Sequence, residues 1–210
     1  MEQTPLDQEL IEQQNRGVLL VVTGPSGSGK DTLITALKKK YPQLSWIVST
    51  TSRELRDGES DGKPYHFVSR ERFEELIAEG AFFEWVEFRG ELYGTQKQTL
   101  LDGVHSGHDV VWKIETKGVK NIKAKIKQMV PRSAFVFLMA DSMQAMKERV
   151  TKAEGIEGAK KRWNESLVIW EMKQYEDCEY VVLNKDGNVE DALAKLGSIL
   201  EAKRLEIQRS

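Results

Sequence analysis

Short aliphatic runs separated by longer amphipathic stretches set the rhythm of this chain. Residues 18–22 read Val-Leu-Leu-Val-Val, a continuous apolar run that predicts a strand buried on both faces of a parallel sheet. It runs into a cluster of Gly, Ser and Pro. Over residues 28–40 the apolar positions Leu33, Ile34 and Leu37 recur with helical spacing, predicting a helix that Pro42 stops. Further strands are predicted at 44–49, 109–114, 134–139 and 180–183, each separated by enough residues for a crossover connection. That alternation predicts a parallel α/β sheet. Between Thr50 and Gly94 the grammar changes. Short strands at 65–68, 82–88 and 91–93 surround a predicted helix at 70–79, which marks residues 50–94 as an inserted subdomain. A helix over 116–130 places Val119, Ile122, Ile126 and Met129 on one face. A last helix over 189–209 buries Ala192, Leu193, Leu196, Ile199 and Leu200 by the same spacing. Residues 1–16 are polar and rich in Gln and Glu, an extension, loose or helical, ahead of the ordered part that starts at Gly17.

Composition narrows the class. A chain of 210 residues holds one domain with room for an insertion, or two small ones, and buries a sizeable core. Cys178 is the sole cysteine, so no internal disulfide is available. The first residues lack the basic-then-apolar pattern of a secretory signal, and no apolar run approaches the ~20 residues of a membrane helix. The expectation is a cytoplasmic protein with no membrane partner. The formal net charge of −2 argues against a nucleic-acid-coating role, which usually carries a strongly basic balance. Lys117, Lys120, Lys123, Lys125 and Lys127 on the 116–130 helix read as a solvated face. His66, His105 and His108 lack zinc-ligand spacing, and the last two are expected in an exposed turn.

Chemistry enters at the end of the first strand. Gly24, Pro25, Ser26, Gly27, Ser28, Gly29 and Lys30 fit G-x-x-x-x-G-K, a loop whose backbone N–H groups converge on phosphate at a helix N-terminus. Lys30 then bridges the β- and γ-phosphates of a nucleoside triphosphate. The next position, commonly a Ser or Thr that binds Mg²⁺, is Asp31, with Thr32 one residue later. Either oxygen donor is a candidate for the metal. Downstream, Ser49-Thr-Thr-Ser-Arg53-Glu-Leu-Arg56 and Tyr65 supply two guanidinium groups and a phenol, the chemistry that holds a monophosphate.

Glu84-Trp85 and Tyr93-Gly94-Thr95 follow. With these motifs in this order, the chain resembles the guanylate kinase family from about Gly17 to Leu200. The resemblance implies an α/β fold of P-loop NTPase type: a parallel sheet flanked by helices, an inserted GMP-binding subdomain and a mobile lid. The domain spans 17–205, with its core at 17–49 and 95–205, the insertion at about 50–94 and the lid at about 149–162. It further implies ATP-dependent phosphorylation of GMP in purine nucleotide metabolism, with Mg²⁺ as cofactor and dGMP as a further candidate acceptor. Carried over residue by residue, Arg53, Arg56, Tyr65 and Tyr93 hold the GMP phosphate, Glu84, Ser49 and Thr95 read the guanine, and Glu115 assists. Asn184 falls near the adenine of ATP. Lys30, Arg149 and Arg162 neutralise the phosphoryl group in flight, with Gly155 and Gly158 as pivots of the lid. Nucleic acid is not an expected partner, and monomer and homo-oligomer both stay open.

Three positions depart from the family pattern. Asp31 is one. Lys113 stands where the family typically has an acid, and the lid reads Thr151-Lys-Ala-Glu-Gly155 in place of Arg-Gly-Arg. One reading is that Lys113 brings positive charge from the sheet to replace the lost lid arginine. Two other functions share the motifs: a kinase acting on a small phosphate such as ribose 1,5-bisphosphate, whose loop also tends to read Gly-Lys-Asp, and a phosphopeptide-binding module without catalysis.

Overall fold

The computed structural model describes residues 17–56 and 58–206, without the side chains of residues 161 and 162. The predicted extension at 1–16 lies outside the described residues, and the helix predicted to reach Arg209 ends instead at Leu205, with Glu206 beyond it in an extended conformation.

The core is a five-stranded, wholly parallel sheet. It contains β1 (Leu19–Thr23), β2 (Ser45–Ile47), β7 (Val110–Lys113), β8 (Ser133–Ala140) and β9 (Tyr180–Asn184), in the order β2-β7-β1-β8-β9. Val18, Leu20 and Val22 pack on one face, against Leu33, Ile34 and Leu37 of α1 (Lys30–Lys40) and Leu196 and Leu200 of α7 (Val189–Leu205). Leu19 and Val21 alternate to the other face. There they meet Leu100 of α3 (Lys97–His105), together with Val119, Ile122 and Ile126 of α4 (Thr116–Met129). The unbroken apolar run of β1 follows from this double burial, since each face demands every second residue. Burying five such side chains stabilises the sheet by about 1.5–3 kcal/mol each before chain entropy is subtracted.

The insertion forms a second sheet, ordered β4-β3-β6-β5, from β3 (Thr50–Thr51), β4 (His66–Phe67), β5 (Phe82–Phe88) and β6 (Glu91–Gln96). Its own small core joins Phe73 and Leu76 of α2 (Arg70–Ala78) to Phe82 and Leu92, with the Phe73 and Phe82 rings stacked at 4.3 Å.

Several element boundaries differ from expectation. The strand predicted at 44–49 pairs only over Ser45–Ile47. The chain then leaves the main sheet, because the Ser49 carbonyl accepts from the His66 N–H of the second sheet at 2.9 Å. Helix α1 begins at Lys30 rather than Ser28, since Gly29 takes a left-handed conformation, φ 89°. Met129 is exposed rather than packed. β6 runs three residues past the predicted end at Tyr93, to Gln96. Helices α3, α5 (Met143–Arg162) and α6 (Glu165–Lys173) were not individually expected. The lid segment is therefore helical, broken inside α5 at Gly155, where φ 71° and ψ 175° fall in a region that essentially only glycine occupies. Lys117, Lys120 and Lys125 are exposed as expected, whereas Lys123 and Lys127 are half-buried and donate to the Asp177 and Ser133 carbonyls. His105 ends α3, with His108 in the exposed turn beyond it. Among the described residues no helix is long and apolar enough to cross a membrane.

Candidate active site

Parallel sheets place ligands at the carboxyl ends of their strands, where neighbouring connections part. β1 lies between β7 and β8, and its register sets Val22 beside Lys113 and Thr23 beside Phe137. The glycine loop that leaves β1 is thus flanked by residues 113–115 on one side. The Thr23 hydroxyl anchors it there, donating to the Ile114 carbonyl at 3.0 Å. On the other side Gly24 lies so close to Leu138 that a Cβ would strike the Leu138 carbonyl oxygen. Gly29 faces the same limit: its Cβ would strike the Asn184 amide.

The Lys30 ammonium folds over the loop and donates to the carbonyls of Gly24 at 2.5 Å and Pro25 at 3.1 Å. Burial pulls its pKa below the usual lysine range, opposed by the charges of Glu115, Glu171 and Asp31 and aided by Lys113. Asn184 sits beneath the loop, its amide donating to the Ser28 carbonyl at 2.9 Å. Its buried Oδ1 and the buried Ser28 hydroxyl have no hydrogen-bond partner among the described residues. Arg149 reaches the loop from α5: its guanidinium donates to the carbonyls of Gly27 at 3.3 Å and Asn184 at 2.8 Å, and Asp186 holds it at 2.6 Å. The Arg162 side chain lies outside the described residues.

Facing the loop is a pocket lined by Ser49, Tyr65, Glu84, Val86, Tyr93, Gly94, Lys113, Ile114 and Glu115. Six of the eight acceptor-site residues expected from sequence converge there: Ser49, Tyr65, Glu84, Tyr93, Glu115 and, through its hydrogen bonds, Thr95. Strand register explains how. Glu84 pairs with Thr95 across β5 and β6, just after an irregularity between Phe82 and Glu84, the kind of bulge that re-aims a side chain. The Thr95 hydroxyl donates to the Glu84 carboxylate at 3.0 Å. Having spent its one proton, it accepts from the Trp112 indole at 2.9 Å and from the Ser49 hydroxyl at 2.8 Å. Burial pushes the Glu84 carboxyl up to about 7, with the Thr95 hydrogen bond pulling down and Glu115 adding to the rise.

Arg53 is 9% exposed and grips Glu59 through both terminal nitrogens, at 2.8 and 3.0 Å. Its guanidinium lies 5.5 Å from the centre of the Tyr65 ring. Burial raises the Tyr65 pKa well above the ordinary tyrosine value, so the phenol stays protonated and able to donate. Tyr93 meets Tyr65 edge-on at 5.7 Å. Arg56 stands on the outer side of this group. Its guanidinium pairs with Glu154 of the lid helix at 3.2 Å, joining the insertion to the lid. Glu59, Trp112 and Glu154 carry no sequence signature of their own, and each orients a predicted site residue: Glu59 holds Arg53 from six positions away, while Trp112 and Glu154 reach Thr95 and Arg56 across longer stretches of chain.

Asp31 and Lys113, the two unusual charges, meet. The Lys113 ammonium lies 2.5 Å from Asp31 Oδ1, and the lysine side chain is 4% exposed against 59% for the aspartate.

Comparison with known proteins places this geometry. The guanylate kinase family model matches residues 16–203. The guanylate kinase of Desulfitobacterium hafniense (strain Y51) is 36% identical over 199 residues, covering 94% of this chain and 96% of its own. That of Shewanella denitrificans (strain OS217) is 39% identical over 191 residues, covering 90% of this chain and 89% of its own. The crystal structure of guanylate kinase from Anaplasma phagocytophilum superposes with a TM-score of 0.68 at 28% identity, covering 91% of this chain and 88% of that one. With a glycine loop at one end of a parallel sheet and a pocket lined by Glu84 and Glu115 facing it, and matching the family model over nearly its whole length, this chain belongs to the guanylate kinase family.

Proposed function

We infer that the protein transfers the γ-phosphoryl group of ATP to the phosphate of GMP, giving ADP and GDP. The observation that carries this reading is the Glu84 carboxylate, buried and oriented by Thr95, at the far end of a pocket shared with Tyr65 and Tyr93. Guanine offers N1–H and N2–H₂ as paired donors, which a carboxylate accepts together. Adenine offers an acceptor at N1 and leaves that carboxylate unmatched. Arg53, Tyr65 and Tyr93 serve the GMP phosphate, with Arg56 completing the set from the lid side.

The reaction is an in-line displacement. An oxygen of the GMP phosphate forms a bond to the γ-phosphorus as the bond to the β,γ-bridging oxygen breaks, and the electron pair leaves with ADP. The nucleophile is already ionised, so no general base is required. What the chain supplies is placement and charge: Lys30 at the β- and γ-phosphates, Arg149 over the loop, and a lid that excludes water. The first turn of α1 offers a carboxylate and a hydroxyl, Asp31 and Thr32, both exposed. Those oxygen donors fit Mg²⁺, which when bound with ATP neutralises triphosphate charge.

Two results follow. Conversion of GMP to GDP, resolved by chromatography, is expected with ATP as donor, and Arg53→Ala is expected to raise KM for GMP by roughly 10- to 100-fold, the worth of a charge-assisted pair. An unchanged KM would remove Arg53 from the phosphate site. Since Glu84 accepts from guanine only when ionised and titrates at about 7, kcat/KM for GMP is expected to fall as pH drops below that value, approaching about tenfold per unit. The phosphate of GMP itself titrates near ~6. Glu84→Gln therefore serves as the control, because its profile should lose the limb at 7 and keep the one at 6.

A further inference from the structure

The Asp31–Lys113 pair joins the two halves of the site. Lys113 ends β7 beside Val22, two residues before the glycine loop begins. Its ammonium touches Asp31 on the donor side at 2.5 Å. On the acceptor side it lies 4.1 Å from the centre of the Tyr65 ring, and it lines the acceptor pocket. It is therefore a buried cation set between the loop that holds one anion and the pocket that holds another. A buried ammonium is costly unless paired, and among the contacts the structure gives it, Asp31 supplies the negative partner.

We propose that Lys113 is a further catalytic residue of this chain: its ammonium contacts the acceptor phosphate and the phosphoryl group in transfer, with Asp31 as the counter-ion that positions it between turnovers. This rests on the phosphotransfer reading above. The two departures from the family pattern are then one device. The aspartate on the loop carries the charge that keeps a lysine, rather than an acid, at the end of β7. Arriving phosphate oxygens take over the ammonium, and Asp31 is left on its exposed helical turn. Tyr65 and Lys113 line the same pocket, which brings a phenol and an ammonium to one anion.

A purely structural pair behaves differently from a catalytic one when both charges are removed. Lys113→Met alone removes one charge of the pair and tests folding as much as chemistry, so the deciding variant is Lys113→Met combined with Asp31→Asn, read against Asp31→Asn alone because Asp31 is also a candidate Mg²⁺ donor. The double variant's kcat with GMP is expected to stay roughly 10- to 100-fold below that of Asp31→Asn alone, as for loss of one charge-assisted contact, while Lys113→Arg retains more activity than Lys113→Met. Calorimetry with GMP alone reads the acceptor contact without turnover: the double variant is expected to bind GMP about tenfold more weakly than the wild type. A double variant that matches Asp31→Asn in kcat and the wild type in GMP affinity would overturn the proposal and leave the pair as mutual neutralisation. Absence of GMP turnover in the wild type would instead overturn the phosphotransfer reading, and the calorimetric comparison would still decide whether Lys113 meets the phosphate.

Discussion

Replacing Lys30 with methionine is expected to lower kcat by on the order of 10²- to 10³-fold, the usual cost of removing one preorganised donor from the site of developing charge. The reason lies in where the ammonium waits. It is recessed over the loop, donating to the Gly24 and Pro25 carbonyls, so it is held close to its working place before ATP arrives. Burial works against its charge, and Glu115, Glu171 and Asp31 counter that. A triphosphate strengthens the counter-effect at the moment the charge is needed. Methionine keeps the length and packing of the stem, so the thermal midpoint should move little while turnover collapses. A Lys30→Met enzyme with kcat near that of the wild type would remove the loop lysine from the mechanism.

Glu84→Gln is expected to produce the second large effect, on selectivity. In the wild type the carboxylate is fixed by Thr95, which Trp112 and Ser49 hold in turn. Under the proposed reading it accepts from both guanine donors and has nothing to offer adenine N1. Glutamine fills the same volume and still accepts from Thr95, but it presents one acceptor and one donor, a pattern that suits adenine better than guanine. The ratio of kcat/KM for GMP over AMP is expected to fall by on the order of 10³- to 10⁴-fold, the range available to a site that hydrogen-bonds its substrate. Gly118 is part of the same design, since a Cβ there would come within 3.3 Å of the Glu84 carboxylate. A ratio that stays within about tenfold of the wild type would move guanine recognition elsewhere in the pocket.

How much of this was legible in the sequence depended on chain distance. The phosphate loop was readable because all its parts are contiguous and the strand before it and the helix after it announce themselves by apolar spacing. The acceptor pocket was readable from the motif order, and the pairing of Glu84 with Thr95 follows once β5 and β6 are placed in register. Contacts between distant residues were not. Asp31 and Lys113 are 82 positions apart and read separately as two blemishes, whereas together they neutralise each other. The sequence marks Arg56 only as a candidate phosphate ligand, and its contact with Glu154, which ties the insertion to the lid, has no signal there. The lid helix has no clear sequence signal because Gly155 breaks it and its many charges blur any apolar stripe. The resemblance puts Asn184 near adenine, whereas what the structure shows is its amide donating to the Ser28 carbonyl under the loop.

The central claim is that this chain moves phosphate from ATP to GMP, and the most direct measurement is ADP release with GMP, dGMP, AMP and ribose 1,5-bisphosphate offered in turn as acceptor. The arrangement of Glu84, Arg53 and Tyr65 opposite Lys30 predicts rapid release with GMP and little with AMP or the sugar phosphate. Turnover of ribose 1,5-bisphosphate with none of GMP, or no turnover with any acceptor, would contradict it.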